Sequence, residues 1–246
     1  MKILFVSDYT LAQREGGAQR SNSLLIKKGK ELGHEIIEHS YESSITDFLA
    51  SYDLIIHSNL EHINSINPEK IDFIKRLPNC IRVEHDSCHY LDTRARAHLF
   101  TTSIKNFFLS DFHLSFFKEL YGDYFINTEI VYDPIDTELF CKTDQEKIYD
   151  VVYCGFIHEL KGAEKIINFA RKNPEKQISI FGWSHRNPYE LFENEKNIHF
   201  GGLKTQEEVA SILKQSKAIF HSPIVNEPFC RMVAEALLCG VEEVIG

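Results

Sequence analysis

The chain has 246 residues, 43% of them hydrophobic and 26% charged, with a formal net charge of −9. That composition is globular, long enough for one large or two small domains, and it excludes disordered and fibrous classes. The acidic balance disfavours a general nucleic-acid binder, which needs a basic surface against phosphates, but leaves room for a local pocket that takes a phosphorylated ligand.

Lys2–Asp8 reads as a buried strand entered directly from the terminus. Gly16-Gly17 follows, then a helix over Ala18–Leu32 with Gly33 as its stop signal. Glu35–Glu38, Asp53–Ser58 and Ile81–Glu84 read as further strands. Helices are expected at Thr46–Ala50, Pro68–Arg76 and Arg94–Thr101, with Pro68 suited to a first helical turn. Ile104–Leu109 fits a strand or the end of the preceding helix, Asp111–Leu120 a helix stopped by Tyr121-Gly122, and Ile130–Tyr132 a short strand. Asp136–Lys147 is polar, without a strong period, and reads as a linker.

The pattern then restarts. Strands are expected at Asp150–Cys154, Gln177–Phe181, Asn197–Phe200, Ala218–Ser222 and Glu243–Ile245, with helices at Ala163–Lys172, Thr205–Lys214 and Phe229–Cys239. Thr205 and Glu208 form a capping box. The expected fold class is therefore α/β, with mainly parallel sheets covered by helices on both faces. The domains read as residues 1–136, a linker over 137–149, and residues 150–246. No apolar run approaches the roughly 20 residues of a membrane span. The N-terminus lacks a cleavage pattern, and the six cysteines form no CxxC pair, so reduced thiols in the cytoplasm are expected.

Several segments could carry chemistry. Gly16-Gly17 sits where a helix begins, either to let a ligand approach the free N–H groups or simply to form a positive-φ loop. The spacing is not GxGxxG, so the dinucleotide fingerprint is absent. Val152–Gly162 runs from a strand into a loop ending in Lys161-Gly162 before a helix. There, backbone N–H groups, a helix dipole and an ammonium would meet a phosphate; a surface Lys and a turn Gly are the plain alternative.

In Ser222–Gly240, Glu227 ends a loop after a strand and Glu235 lies in the following helix. Carboxylates grip sugar hydroxyls well, because each oxygen accepts more than one hydrogen bond. The N–H groups of Phe229, Cys230 and Arg231 would receive an anion; the apolar neighbours of Glu235 argue for burial with a partner, and a solvated helix residue is the plain alternative. His85-Asp86-Ser87-Cys88-His89 invites a metal reading, but adjacent residues rarely converge on one centre, so no metal ligands are assigned. His85 alone stands at a strand's C-terminal end, where open α/β sheets bind ligands. Arg94, Arg96, His98 and Lys105 read as a solvated basic face, and the aromatics from Phe107 to Phe125 as core packing rather than an interfacial anchor.

Four segments in order resemble the retaining glycosyltransferases of family 4, which have the GT-B fold. They are Gly16-Gly17, Val131–Phe140 (VYDPIDTELF), Gly155–Gly162, and the Glu227–Gly240 stretch with its EPF start and seven residues between Glu227 and Glu235. The resemblance implies two Rossmann-like domains, the second incomplete at its C-terminal end relative to the family. It also implies transfer of a hexose from a UDP- or GDP-sugar with retention, and no tightly bound cofactor or metal.

By this likeness Lys161 would meet the donor phosphates, Glu235 the ribose and Glu227 the donor sugar. Phe229, Cys230 and Arg231 would offer backbone N–H groups. His85 would lie near the transferred sugar, and Gly16 and Gly17 near the phosphates. His85, Glu227 and Lys161 are thus the expected catalytic set. The acceptor, whether sugar, lipid or protein, is not readable, and peripheral membrane or homo-oligomer contact stays open. The chain departs from the family at Phe156, where an Arg is usual, at Cys230, where a Gly is usual, and in its short C-terminus. These departures favour the rival reading, a catalytically impaired nucleotide-binding or partner protein. A different GT-B enzyme, such as an epimerase or phosphorylase, is the third.

Overall fold

The computed structural model describes residues 1–40, 51–58, 79–85, 104–122 and 127–246. The helices expected at Thr46–Ala50, Pro68–Arg76 and Arg94–Thr101 lie outside these residues, as do Asp86, Ser87, Cys88, His89, Arg94, Arg96 and His98. The chain divides into two compact units: Met1–Pro134 with Glu227–Phe229, and Ile135–Asn226 with Cys230–Gly246.

The first unit holds strands β1 (Lys2–Ser7), β2 (Glu35–Ser40), β3 (Leu54–Ser58), β4 (Cys80–Val83), β5 (Lys105–Phe108) and β6 (Thr128–Ile130). They form one sheet in the order β2-β1-β3-β4-β5-β6, every pair parallel. A parallel strand covered on both faces has no polar alternation, and β1 is accordingly buried from Ile3 to Ser7. Helix α1 (Gly17–Glu31) lays Ile26 against Ile3, Phe5 and Ile36. Leu32 closes it, and Gly33 follows at φ 85°, in the left-handed region that glycine tolerates.

Ile104–Leu109 resolves as a strand, β5, and Asp111–Tyr121 as helix α2. Ser110 caps α2 by accepting from the His113 N–H at 3.1 Å. The aromatics of this region split. Phe108 and Phe117 are fully buried and meet edge-to-face at 5.2 Å, whereas Phe112 is exposed and stacks on Phe116. Lys105 pairs with Glu129.

The second unit holds β7 (Tyr149–Phe156), a 3-10 turn at Glu159–Lys161, α3 (Ala163–Lys172), β8 (Ile178–Trp183), α4 (Pro188–Phe192) and β9 (Ile198–Phe200). It continues through α5 (Gln206–Lys214), β10 (Ser216–Phe220), α6 (Arg231–Leu238) and β11 (Glu243–Ile245). Its parallel sheet runs β11-β10-β7-β8-β9. The two-residue strand period builds a core on each face. Val151, Tyr153, Ile178, Ile180, Ala218 and Phe220 meet α3 through Ala163, Ile166 and Ala170. On the opposite side Val152, Cys154, Phe181 and Ile219 meet α5 and α6 through Leu213 and Ala236.

The polar stretch after Pro134 is not a bare tether. Phe140 is 1% exposed and belongs to the second of these cores. The capping box on α5 is complete, with the Thr205 N–H donating to Glu208 Oε2 at 2.8 Å and the Glu208 N–H to Thr205 Oγ1 at 3.3 Å. Helix α4 and the 3-10 turn were not read from the sequence, since each is too short to show a period. Among the described residues no helix is long and apolar enough to cross a membrane.

Buried Asn197 ties the chain end of α3 to the start of β9. Its Nδ2 lies within hydrogen-bond distance of the carbonyls of Ala170, Asn173 and Lys176 at 3.0, 3.1 and 3.1 Å. Asn197→Ala strands these acceptors, and chemical denaturation should show a loss of about 1–3 kcal/mol.

Candidate functional site

In the first unit, polar groups gather where β1, β3 and β4 end. Ser7, Asp8, Ser58, Glu84 and His85 are all buried there. Sheet order reverses beside β1, which puts these ends at a topological switch point, the usual ligand position in open α/β sheets. His85 Nε2 is 3.1 Å from Asn22 Oδ1, the same oxygen that accepts from Ser58 Oγ at 2.7 Å. His85 Nδ1 is 3.1 Å from Asp133 Oδ1. Asn22 comes from α1 and Asp133 from the segment after β6, so the imidazole is oriented from two sides. Neither partner was legible in the sequence, because the fold alone brings them to His85.

Gly16 is the N-cap of α1 at φ −164°, an extended conformation open to any residue. The positive-φ explanation of Gly16-Gly17 therefore falls away. A Cβ on Gly16 would instead meet Gln19 Oε1 at 2.4 Å. As N-cap, Gly16 brings no side-chain hydrogen bond to the helix, and Gly17 is the first helical residue. Glu227 and Phe229 group with the first unit, where the Phe229 ring lies 6.3 Å from Tyr132 and the Pro228 carbonyl accepts from Ser110 Oγ at 2.7 Å.

Behind this edge, Arg82 and Glu84 form a fully buried pair at 2.6 Å. Buried charge demands such pairing. His57 is buried beside them on β3, and burial, reinforced by the Arg82 charge, pushes its pKa down to about 3.

In the second unit the switch point falls between β7 and β10. The loops leaving these strands are locked together. Gly162 sits at φ 85°, and a Cβ there would lie 2.2 Å from the Ser222 carbonyl oxygen. The Ile224 N–H donates to the Leu160 carbonyl at 2.8 Å, and Lys165 Nζ donates to Ser222 Oγ at 3.2 Å. His158 caps the 3-10 turn through Nδ1, accepting from the Leu160 N–H at 3.2 Å. Lys161 ends that turn, immediately ahead of α3.

The expected helix at Phe229–Cys239 begins later, at Arg231, with Cys230 as its N-cap. Phe229 is therefore not helical, and the N-terminal turn begins at Arg231 with no capping hydrogen bond from the Cys230 side chain. Glu235 lies one turn in and is 6% exposed. Its burial is partnered, as expected, by Arg231 at 3.1 Å, an i,i+4 pair. Arg231 is expected to offer its backbone N–H and, with His158, to compensate for the charge missing at Phe156; in the structure its side chain holds the Glu235 carboxylate. Cys230 Sγ lies 3.5 Å from His221 Nδ1. Burial pushes the Cys154 thiol up to about 12, and the Glu235 charge adds to it, so Cys154 is an inert core residue. Phe156, in the place expected for an Arg, stacks on Trp183 with centroids 4.3 Å apart.

No family model and no curated protein matches the chain. Solved structures do. HepE from Anabaena in complex with UDP superposes with a TM-score of 0.72 at 15% identity, covering 100% of this chain and 80% of HepE. Sucrose-phosphate synthase from Thermosynechococcus elongatus reaches a TM-score of 0.82 at 12% identity, covering 100% and 82%. The catalytic domain of starch synthase IV from Arabidopsis thaliana, bound to ADP and acarbose, reaches 0.69 at 9% identity, covering 99% and 82%. The fold is GT-B. At such identities the likeness carries the architecture, two Rossmann-like domains with parallel sheets, and no residue's role.

The titration of His57 is directly testable. An unfolded histidine takes a proton near its ordinary 6.5, and the folded one only near 3. Stability should therefore fall as pH drops from about 6.5 toward about 3, where the unfolded chain binds the extra proton. Urea midpoints measured at about pH 7 and about pH 4.5 should converge in His57→Gln relative to the unsubstituted chain.

Proposed function

We propose that the protein is a retaining glycosyltransferase of family 4 type that moves a hexose from a UDP- or GDP-sugar to a sugar, lipid or protein acceptor in the cytoplasm. The observation that carries the reading is the locked pair of loops at the second sheet's switch point. It joins the turn that carries Lys161, ahead of α3, to the loop that leads from β10 toward α6. That HepE was solved with UDP supports a nucleotide-sugar as donor.

In the reaction, the bond from the anomeric carbon to the diphosphate oxygen breaks and a bond to an acceptor oxygen forms. Negative charge grows on the departing nucleoside diphosphate. In this reading Lys161 and the backbone N–H groups of Cys230 and Arg231 meet that charge without a metal ion. Glu235, steadied by Arg231, accepts from the ribose hydroxyls. Glu227 holds the donor sugar, with Phe229 beside it. His85, oriented by Asn22 and Asp133, faces the transferred sugar, and Gly16 and Gly17 admit the phosphates to the start of α1.

The rival reading, a nucleotide-binding or partner protein without transfer activity, is favoured by Phe156. Where the family's Arg would meet the leaving group, a phenyl ring stacks on its neighbours. Arg231 and His158 are the residues available to compensate.

A panel of UDP- and GDP-sugars with a mixed acceptor set, read by nucleotide release and product mass, decides between the two. Transfer by the intact chain is expected, with kcat/KM falling about 100-fold or more in Lys161→Ala and by a smaller factor in Arg231→Ala or His158→Ala. Calorimetric binding of UDP or GDP with no transfer would establish the rival. Neither binding nor transfer would overturn both.

A further inference from the structure

The rings at the ends of β7 and β8 form a group that the proposed reaction does not use. Phe156 and Trp183 are the last residues of their strands and directly opposed in the ladder. Their rings stack at 4.3 Å and 29°. His158 lies nearly parallel to Phe156 at 5.2 Å and 16°, and His185 stands edge-on to Phe156 and Trp183 at 5.2 and 5.0 Å.

The group is pinned by backbone and polar contacts. Tyr153 Oη donates to the Phe156 carbonyl at 2.7 Å, and the Ile157 N–H to the Trp183 carbonyl at 2.8 Å. Arg186 pairs with Glu159 at 3.0 Å, joining the loop after β8 to the turn that carries Lys161. The Gly182 N–H donates to the Gly202 carbonyl at 2.9 Å, joining the end of β8 to the segment after β9, where Leu203 is exposed. Despite two ring neighbours among the described residues, Phe156 and His185, Trp183 stays 42% exposed. A half-exposed indole fixed in a preorganised stack offers a flat aromatic face to a planar ligand.

We propose that Trp183 is the platform on which the base of the bound nucleoside diphosphate stacks, with Phe156, itself stacked on His158, holding the indole from behind. This rests on the donor reading above. In that reading the sugar end points toward Glu227, which the chain reaches from β10, on one side of β7. The base end is left for β8, on the other side of β7. A nucleobase is planar and presents a π-face that an indole accepts whatever the base, so the platform supplies affinity rather than base identity. Phe156 has then exchanged a phosphate-directed charge for support of a stacking surface.

Trp183 is the only tryptophan of the chain, so its emission reports on the platform directly. The full chain is titrated with UDP, GDP and inorganic pyrophosphate, followed by calorimetry and by emission. Both nucleotides should quench emission saturably, with the calorimetric Kd, and pyrophosphate should not. Trp183→Leu should weaken UDP and GDP about tenfold while leaving pyrophosphate unchanged, and Trp183→Tyr should restore most of the loss.

Nucleotide binding with unchanged Kd in Trp183→Leu overturns the platform and leaves the donor reading standing. Should Trp183→Leu fail to fold, unquenched emission at saturating UDP overturns it equally. Absence of any nucleotide binding by the unsubstituted chain overturns the donor reading and the platform together.

Discussion

The second unit depends on one close approach, that of the Gly162 backbone to the Ser222 carbonyl. A single added methyl group would sit 2.2 Å from that oxygen and 3.0 Å from its carbon, and both belong to backbone that has no rotamer with which to escape. Glycine at φ 85° answers the conformational and the steric demand together. Because the approach is permitted, Leu160 and Ile224 share a hydrogen bond and Lys165 reaches Ser222. Two loops from strands adjacent in the sheet thereby become one ledge, and Lys161 is carried on it.

Buried charge is handled alike in both units. Arg231 and Glu235 are both nearly buried and satisfy each other one turn apart on α6. Arg82 and Glu84 do so on and just after β4, and His85 stands against Asp133. An isolated charge in such places would cost several kcal/mol, so each pairing fixes geometry as much as energy. The i,i+4 guanidinium holds the Glu235 carboxylate in one place on α6. The charge of Glu235 also raises the Cys154 thiol further, keeping the adjacent cysteine protonated.

Phe156 shows how a side chain can differ from a resembled pattern while its backbone stays fixed by the fold. Its strand position, its parallel register with β8 and the Tyr153 hydrogen bond to its carbonyl are all independent of side-chain charge. The side chain decides the company: the phenyl ring gathers Trp183, His158 and His185. The proposed platform follows from that company.

The hydrophobic runs of β1, β7, β8 and β10, the amphipathic stretch of α3 and the capping box of α5 were legible in the residues, because local periodicity and short-range hydrogen bonds determine them. So were the parallel sheets, since strands joined through helices leave little else. The candidate residues Lys161, Glu235 and His85 could be chosen because each follows a strand that such a sheet buries. Their partners could not. Arg231 was visible as a neighbour in sequence, but only the start of α6 at Arg231 rather than Phe229 puts its side chain on Glu235. Asn22 and Asp133 lie 63 and 48 positions from His85, and Trp183 lies 27 from Phe156. No local rule relates residues so far apart. Strand order and register decide such meetings, and those belong to the folded chain as a whole.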